Sequence, residues 1–186
     1  MKVYYVTGNE LKVKLAKKVL EKLGIEVIQK NIETPEIQSL DCREVAEYSA
    51  KYAADLLGIP VFKNDSGFCI DELDNFPGAL ARWAEETLKA DGIIKLLEGK
   101  TNRNCHWVEV LSYCEPGGEP VSFESLTYGT ISDKIVLGRG YEYDKIFIPL
   151  NETRTFSQMS EEEQIDTFDT DAYIKLAEYI KNKANQ

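Results

Sequence analysis

The chain has 186 residues, with 22 lysines and arginines against 32 aspartates and glutamates, which gives a formal charge of −10 at pH 7. The length suits one domain, and an apolar content of 43% is enough for a packed core, which argues against a disordered chain. The acidic balance argues against a protein that binds nucleic acid polymers through a broad basic face. It leaves room for a small anionic ligand in a local basic site.

The cysteine and histidine content indicates a reducing compartment and no zinc site. Cys42, Cys69, Cys105 and Cys114 form no CxxC pair, and His106 is the only histidine in the sequence. The first apolar stretch is too short for a secretory signal, and no apolar run approaches the roughly 18 residues of a membrane span. We therefore expect a cytoplasmic protein that does not cross a membrane.

The first third of the chain predicts alternating strands and helices. Residues 2–7 form a β-rich run that ends at a Gly-Asn turn signal, and residues 10–23 carry apolar residues at every fourth position, followed by a glycine. Residues 25–31 return to a strand, which predicts a β–α–β opening with a crossover helix. A second helix is expected over residues 43–57, and a third strand over residues 59–62.

The remainder of the chain predicts an antiparallel portion and further helices. Residues 79–97 read as helical with a break near Asp91-Gly92, and Glu115-Pro116-Gly117-Gly118 reads as a hairpin turn. The predicted strands are residues 106–113, 120–127, 129–136 and 145–148, and the later helices begin after the N-cap Ser160 and cover residues 172–183. We predict an α/β fold with a mixed sheet.

Two turns are candidates for phosphate chemistry. Thr7-Gly8-Asn9 lies where a strand turns into a helix, and the positive helix end followed by Lys12 and Lys14 suits a phosphate. An ordinary βα turn with a solvated lysine face explains this segment equally well. At the end of the third strand, Asp65 could bind Mg²⁺ or orient a water and Ser66 could donate to a phosphate. On local sequence alone, a turn that ends the strand is the favoured interpretation of residues 64–67.

In their order along the chain, these fragments and several others resemble the inosine triphosphate pyrophosphatase family, whose members hydrolyse non-standard purine nucleoside triphosphates such as ITP, dITP and XTP. The resemblance covers nearly the whole chain, and its specificity lies in the ordered combination. The fragments that carry it are Thr7-Gly8-Asn9 with Lys12, Pro35-Glu36-Ile37-Gln38, Ala50-Lys51, Asp65-Ser66-Gly67, Phe76-Pro77-Gly78, residues 141–149 and residues 155–159.

The resemblance implies one domain over residues 1–186 with two lobes, an elongated mixed sheet flanked by helices, the nucleotide between the lobes, and a homodimer. It implies that Asp65 activates water and that Lys51 points its ammonium at the phosphates, as catalytic residues. Residues 141–144 would line the base pocket, with an aromatic ring stacking on the purine. The remaining implied contacts are Thr7, Gly8, Asn9 and Lys12 for the triphosphate, Glu36 and Asp65 for Mg²⁺, and Ser66, Tyr141, Tyr143 and Asp144 for the rest of the substrate.

Two segments depart from the family pattern. The family usually has an acidic residue before the metal-binding aspartate, where this chain has Asn64, so the site has one negative charge fewer. Near the C-terminus, Gln164 falls near an expected lysine, and Thr167-Phe168-Asp169 takes the place of a Ser-His-Arg stretch that reads the 6-oxo purine. Loss of those donors weakens selection for a 6-keto group, and an aspartate there suits an exocyclic amino group or no contact.

We therefore expect an Mg²⁺-dependent hydrolase that converts non-standard purine triphosphates to the monophosphate and pyrophosphate, as a step in cleansing the nucleotide pool. Its partner is a small nucleotide, not a nucleic acid polymer or a membrane. Two alternatives stay open. The chain could be a diverged nucleotide-binding protein with weak or no hydrolysis, or a pyrophosphatase for a different base.

Overall fold

The structure is a computed structural model that describes residues 1–185. Within these residues, seven strands form one sheet, accompanied by five α-helices, so the predicted α/β class is confirmed. The elements are β1 (Lys2–Val6), α1 (Glu10–Leu20), β2 (Glu26–Lys30), α2 (Cys42–Leu57), β3 (Val61–Ile70), β4 (Pro77–Gly78), α3 (Ala81–Leu96), β5 (Asn104–Cys114), β6 (Val121–Ile131), β7 (Phe147–Pro149), α4 (Glu161–Thr167) and α5 (Asp171–Ala184).

The predicted β–α–β opening is confirmed. β1 pairs in parallel with both β2 and β3, with Tyr5 opposite Gln29 on one side and Phe62 on the other. The strand order is β2-β1-β3-β5-β6-β7, and β4 pairs with β3. Because β1 has a parallel neighbour on each side, its carboxyl end is flanked by the chain that leaves β2 and by the first half of β3.

β3 is much longer than the sequence predicts. It covers ten residues and contains the polar segment that was expected to end it, so the prediction of a turn at residues 64–67 is wrong. The strand continues because its polar side chains find tertiary partners: Lys63 donates to Thr34, and Asn64 donates to Glu109. Hydrogen bonds of this kind offset the weak intrinsic strand preference of Asn, Asp and Gly.

Two other predicted boundaries differ. The interruption of α3 falls at Lys89, which has φ 56° and ψ −176°, rather than near Asp91-Gly92. β6 is one strand over Val121–Ile131, where the sequence suggested two, and residues 133–136 are not in a strand. The glycine at position 129, inside β6, is required by the paired strand β7. An added Cβ would come within 2.4 Å of the Ile148 carbonyl oxygen.

The chain divides into two compact units, each with its own core. The first contains residues 1–65, 109–125 and the described residues from 169 onward; the second contains residues 66–108 and 126–168. β3, β5 and β6 contribute residues to both. A core cluster of the first unit consists of Val6, Ala50, Ala53, Ala54, Val61 and Cys114, and a cluster of the second includes Phe68, Trp107, Tyr143, Phe147 and Phe156.

All four cysteines are buried free thiols. Among residues 1–185, no helix has the length and apolar character that a transmembrane span requires.

Candidate active site

The turn after β1 places Lys12 on the first turn of α1. The Thr7 amide donates to the Lys30 carbonyl at 3.1 Å, and the Thr7 hydroxyl accepts from the Asn9 amide at 3.1 Å. Asn9 is the N-cap, and its Oδ1 accepts from the amides of Leu11 at 2.9 Å and Lys12 at 3.3 Å. Gly8 is exposed beside it. The turn therefore combines a positive helix end with the Lys12 ammonium, a combination that suits an anion.

A loop between β2 and α2 carries Glu36. The Ser49 hydroxyl of α2 donates to the Pro35 carbonyl at 3.4 Å, and the Lys63 ammonium of β3 donates to the Thr34 hydroxyl at 2.5 Å. These contacts tie the loop to α2 and β3 at the two residues that precede Glu36, whose side chain is exposed.

Three charged side chains, those of Lys12, Glu36 and Asp65, act electrostatically on the Lys63 ammonium of β3. Lys63 and Asp65 lie two residues apart on β3, and alternate strand residues point to the same face. Burial lowers the pKa of the Lys63 ammonium, and the positive charge of Lys12 lowers it further, whereas Glu36 and Asp65 act in the opposite direction. Lys12, Glu36 and Asp65 therefore all interact electrostatically with the Lys63 ammonium. We call these four residues the charged cluster. Sequence reasoning missed Lys63, because one lysine in a strand carries no motif.

Asn64 points to the other face of β3, into a buried network. Its amide donates to Oε1 of Glu109 at 2.9 Å, and its Oδ1 accepts from the Tyr5 hydroxyl at 2.7 Å. The Tyr173 hydroxyl also donates to Glu109 Oε1, at 2.9 Å. Burial raises the pKa of Glu109, against the opposing effects of Lys12, Tyr173 and Asn64. A carboxyl group thus lies next to position 64, although residue 64 itself has none.

Lys51 is not part of the charged cluster. Its ammonium donates to the Gly118 carbonyl at 2.6 Å and to Oε1 of Glu119 at 3.3 Å, in the turn between β5 and β6. The hydrogen bond with Glu119 raises the pKa of Lys51, and the charge of Asp55 contributes in the same direction. The Asp55 carboxylate accepts from the Gly117 amide at 2.6 Å, so both side chains anchor this turn on α2.

The residues expected near the base lie in the second unit, and they differ sharply in exposure. Tyr143 is 3% exposed, packs against Phe68 in a tilted arrangement and against Trp107 edge to face, and its hydroxyl donates a hydrogen bond to the Ala81 carbonyl at 3.0 Å. Its ring therefore belongs to the core and does not face a ligand. Tyr141 is 63% exposed, which leaves its ring open to stacking.

The Asp144 side chain holds the loop that carries Tyr141 through a hydrogen bond to its backbone. Its Oδ2 accepts from the Tyr141 amide at 2.7 Å. Burial raises the pKa of Asp144 to about 6, and the Tyr141 hydrogen bond only partly offsets this. Gly140 has φ 90°, and an added Cβ would lie 1.9 Å from Asp144 Oδ2, so the close approach needs glycine. Ser66 belongs to the second unit and is half-buried on β3.

The segment that departs from the family pattern makes local contacts. Gln164 is buried and donates to the Phe156 carbonyl at 2.7 Å, and the Thr167 hydroxyl donates to the Gln164 carbonyl at 2.7 Å. Phe168 packs against Phe156 with ring centroids 5.5 Å apart. Asp169 Oδ1, in the first unit, accepts from the Asp171 amide at the start of α5. These contacts account for the segment without a ligand.

The donor set of the charged cluster fits a metal ion that arrives with a polyphosphate. Among the described residues, no group of three or more His, Cys, Asp and Glu side chains could hold a metal ion by itself. Glu36 and Asp65 supply two carboxylates, and Mg²⁺ is commonly bound by one or two carboxylates together with phosphate oxygens and water.

Comparison with known proteins identifies close relatives of this chain. The sequence profile of the Ham1 family matches residues 3–178. The dITP/XTP pyrophosphatase of Methanopyrus kandleri is 42% identical over 183 residues, covering 98% of this chain and 97% of the relative. That of Thermococcus kodakarensis is 39% identical, covering 88% of each chain. The solved Ham1 protein of Staphylococcus aureus superposes with a TM-score of 0.77 at 25% identity, over 98% of this chain and 100% of the other.

Proposed function

Because this chain belongs to the Ham1 family, we propose that it is a nucleoside-triphosphate pyrophosphatase that acts on non-standard purine triphosphates such as dITP and XTP. The names of the relatives support this substrate class. The observation that carries the proposal is the charged cluster: Lys12, Glu36 and Asp65 all act electrostatically on Lys63, and Lys12 lies in the first turn of α1. A triphosphate bound there would meet both the cations that neutralise it and carboxylates that can hold a metal.

The proposed reaction is attack of water on the α-phosphorus. A bond forms between the water oxygen and the α-phosphorus, and the bond from that phosphorus to the oxygen bridging to the β-phosphate breaks. Pyrophosphate leaves with the electron pair, and the water proton passes to the Asp65 carboxylate. Asp65 is thus the catalytic residue of the cluster, because a base must lie within hydrogen-bond reach of the attacking water.

The metal in this proposal is Mg²⁺, held by Glu36 and Asp65. When bound, it would neutralise charge on the phosphate oxygens as bond breaking proceeds. Lys12 and the turn from Thr7 to Asn9 would bind the triphosphate. Lys51 is proposed as a second catalytic cation, which requires its ammonium to leave the Gly118 carbonyl when phosphate binds.

The base contacts of the proposal use the second unit. Tyr141 would stack on the purine, and Asp144 would hold the loop that presents this ring, while Ser66 would contact substrate. Tyr143 has a supporting role in the proposal because its ring is in the core. A cytoplasmic homodimer is also part of the proposal.

A substrate panel tests the function. We would incubate the protein with Mg²⁺ and ITP, dITP, XTP and the standard triphosphates, and measure pyrophosphate and monophosphate. Release of both products, fastest from the non-standard purines, is the expected result. Folded protein that binds these nucleotides but releases no pyrophosphate from any of them would overturn the proposal in favour of a binding protein. Fast turnover of another base would leave the reaction standing and change the substrate.

A further inference from the structure

The function proposed above counts Lys63 only as one of the charges of the cluster, yet Lys63 is tied to both carboxylate-bearing segments of that cluster. On β3 it precedes Asp65 by two residues, so the two side chains share one face of the strand. Its ammonium donates to Thr34, which precedes Glu36 by two residues in the neighbouring loop. One side chain therefore links the two segments whose carboxylates would bind the metal.

The charge balance of the cluster depends on this residue. With Lys12 and Lys63 set against Glu36 and Asp65, the four formal charges cancel; without Lys63 the cluster carries a net negative charge. Lys63 is half-buried, so its interactions with neighbouring charges are screened less than they would be on an open surface. A compact ammonium of this kind attracts a phosphate oxygen and repels a metal cation.

We propose that Lys63 is a phosphate-binding residue of this site, whose ammonium shifts the preference of the charged cluster from a free divalent cation towards a polyphosphate. This inference rests on the proposed function, because it assigns the polyphosphate to the same site. Removal of the Lys63 ammonium should change the two affinities in opposite directions: polyphosphate binds more weakly and the metal ion binds more tightly. Loss of local structure would weaken both.

The experiment compares Lys63→Gln with the wild-type protein in two calorimetric titrations. Inorganic triphosphate is titrated in the presence of EDTA, and Mn²⁺ is titrated into protein free of nucleotide. We expect Lys63→Gln to bind inorganic triphosphate about tenfold more weakly. We expect it to bind Mn²⁺ several-fold more tightly. Lys63→Arg keeps the positive charge and should change neither affinity by more than about threefold.

The matched control is Lys17→Gln, which removes one exposed ammonium from α1 in the same unit. It should leave both affinities within about twofold, because an exposed charge outside the cluster is screened by salt. Thermal unfolding verifies that each variant is folded. If Lys63→Gln does not fold, Lys63→Met replaces it, because methionine keeps most of the apolar stem.

The outcomes separate this inference from the proposed function. Unchanged or parallel changes in the two affinities of Lys63→Gln would overturn the role of Lys63, even if the wild-type protein releases pyrophosphate. Opposite changes, found in a protein that hydrolyses no triphosphate, would support the role of Lys63 in polyphosphate binding while the proposed hydrolysis fails.

Discussion

The side-chain amide of Asn64, one residue before Asp65 on β3, donates a 2.9 Å hydrogen bond to the half-buried carboxyl group of Glu109. Tyr5 and Tyr173 complete the network, and both are 0% exposed. The positive charge of Lys12 lowers the pKa of both Glu109 and Lys63. The interior of the first unit and the charged cluster are therefore coupled through Lys12 and through β3.

Replacement of Asn64 by Asp tests this network. Asn64→Asp brings two carboxyl groups into contact in the interior, and we expect the free energy of unfolding at pH 7 to fall by about 2–3 kcal/mol. Asn64→Asp combined with Glu109→Gln exchanges donor and acceptor, so the double variant should recover at least about 1 kcal/mol of that loss. Urea denaturation of the two single variants and the double variant measures the coupling. Strictly additive effects would show that the two side chains do not depend on each other.

Sequence periodicity predicted the elements around the site well, but it placed their faces less accurately. The four-residue repeat of α1 correctly predicts a helix, yet the buried residues are Val13, Leu15, Ala16 and Leu20. The repeat Leu11, Leu15, Val19, Leu23 marks one edge of that face, because a period of four drifts against the 3.6 residues of a helical turn.

The charged cluster shows why some residues of the candidate site could not be predicted from the sequence. A site role for Lys12, Glu36 and Asp65 was predicted from motifs with a known order along the chain. Lys63 and Glu109 become important only through contacts distant in sequence, the first with Thr34 and the second with Asn64. The same limit applies to Tyr143: its motif suggested a base contact, whereas packing against Phe68 places the ring in the core.

Asp65→Asn tests the catalytic residue. The proposal makes Asp65 both a metal ligand and the proton acceptor, so we expect Asp65→Asn to lower turnover of the best substrate in the panel at least about a hundredfold. Glu33→Gln is the control, since it removes an exposed carboxylate from the loop that carries Glu36. It should keep turnover within about twofold of the wild type. Near-normal turnover of folded Asp65→Asn would assign water activation to another group.

Lys51→Gln separates two roles for this lysine. If the ammonium moves from the turn to the phosphates during turnover, we expect kcat/KM to fall about tenfold or more. Glu119→Gln removes the carboxylate that pairs with Lys51. The Glu119 side chain is 89% exposed, so this change should leave kcat/KM within about twofold. Lower thermal stability of Lys51→Gln with unchanged kcat/KM would instead show that Lys51 only anchors the turn between β5 and β6.

Asp144→Asn tests the buried carboxyl group behind Tyr141 through the pH dependence of stability. The pKa is about 6 in the folded protein against a usual value of 3.8, so between these pH values the folded state binds more protons than the unfolded state. The contribution of Asp144 to the free energy of unfolding therefore decreases as pH rises through this window. Above pH 6, the ionised Asp144 side chain lowers the stability of the folded state by about 3 kcal/mol.

The neutral asparagine can still accept from the Tyr141 amide but does not bear the cost of a buried charge. We expect Asp144→Asn to be more stable than the wild type at pH 7 by about 1–3 kcal/mol, and the difference to shrink towards pH 4. Urea denaturation at several pH values measures it, with Asp74→Asn as the exposed control in the same unit. A difference that stays constant between pH 4 and pH 7 would mean that the carboxyl group of Asp144 does not titrate in this range. The gain in stability would then come from packing.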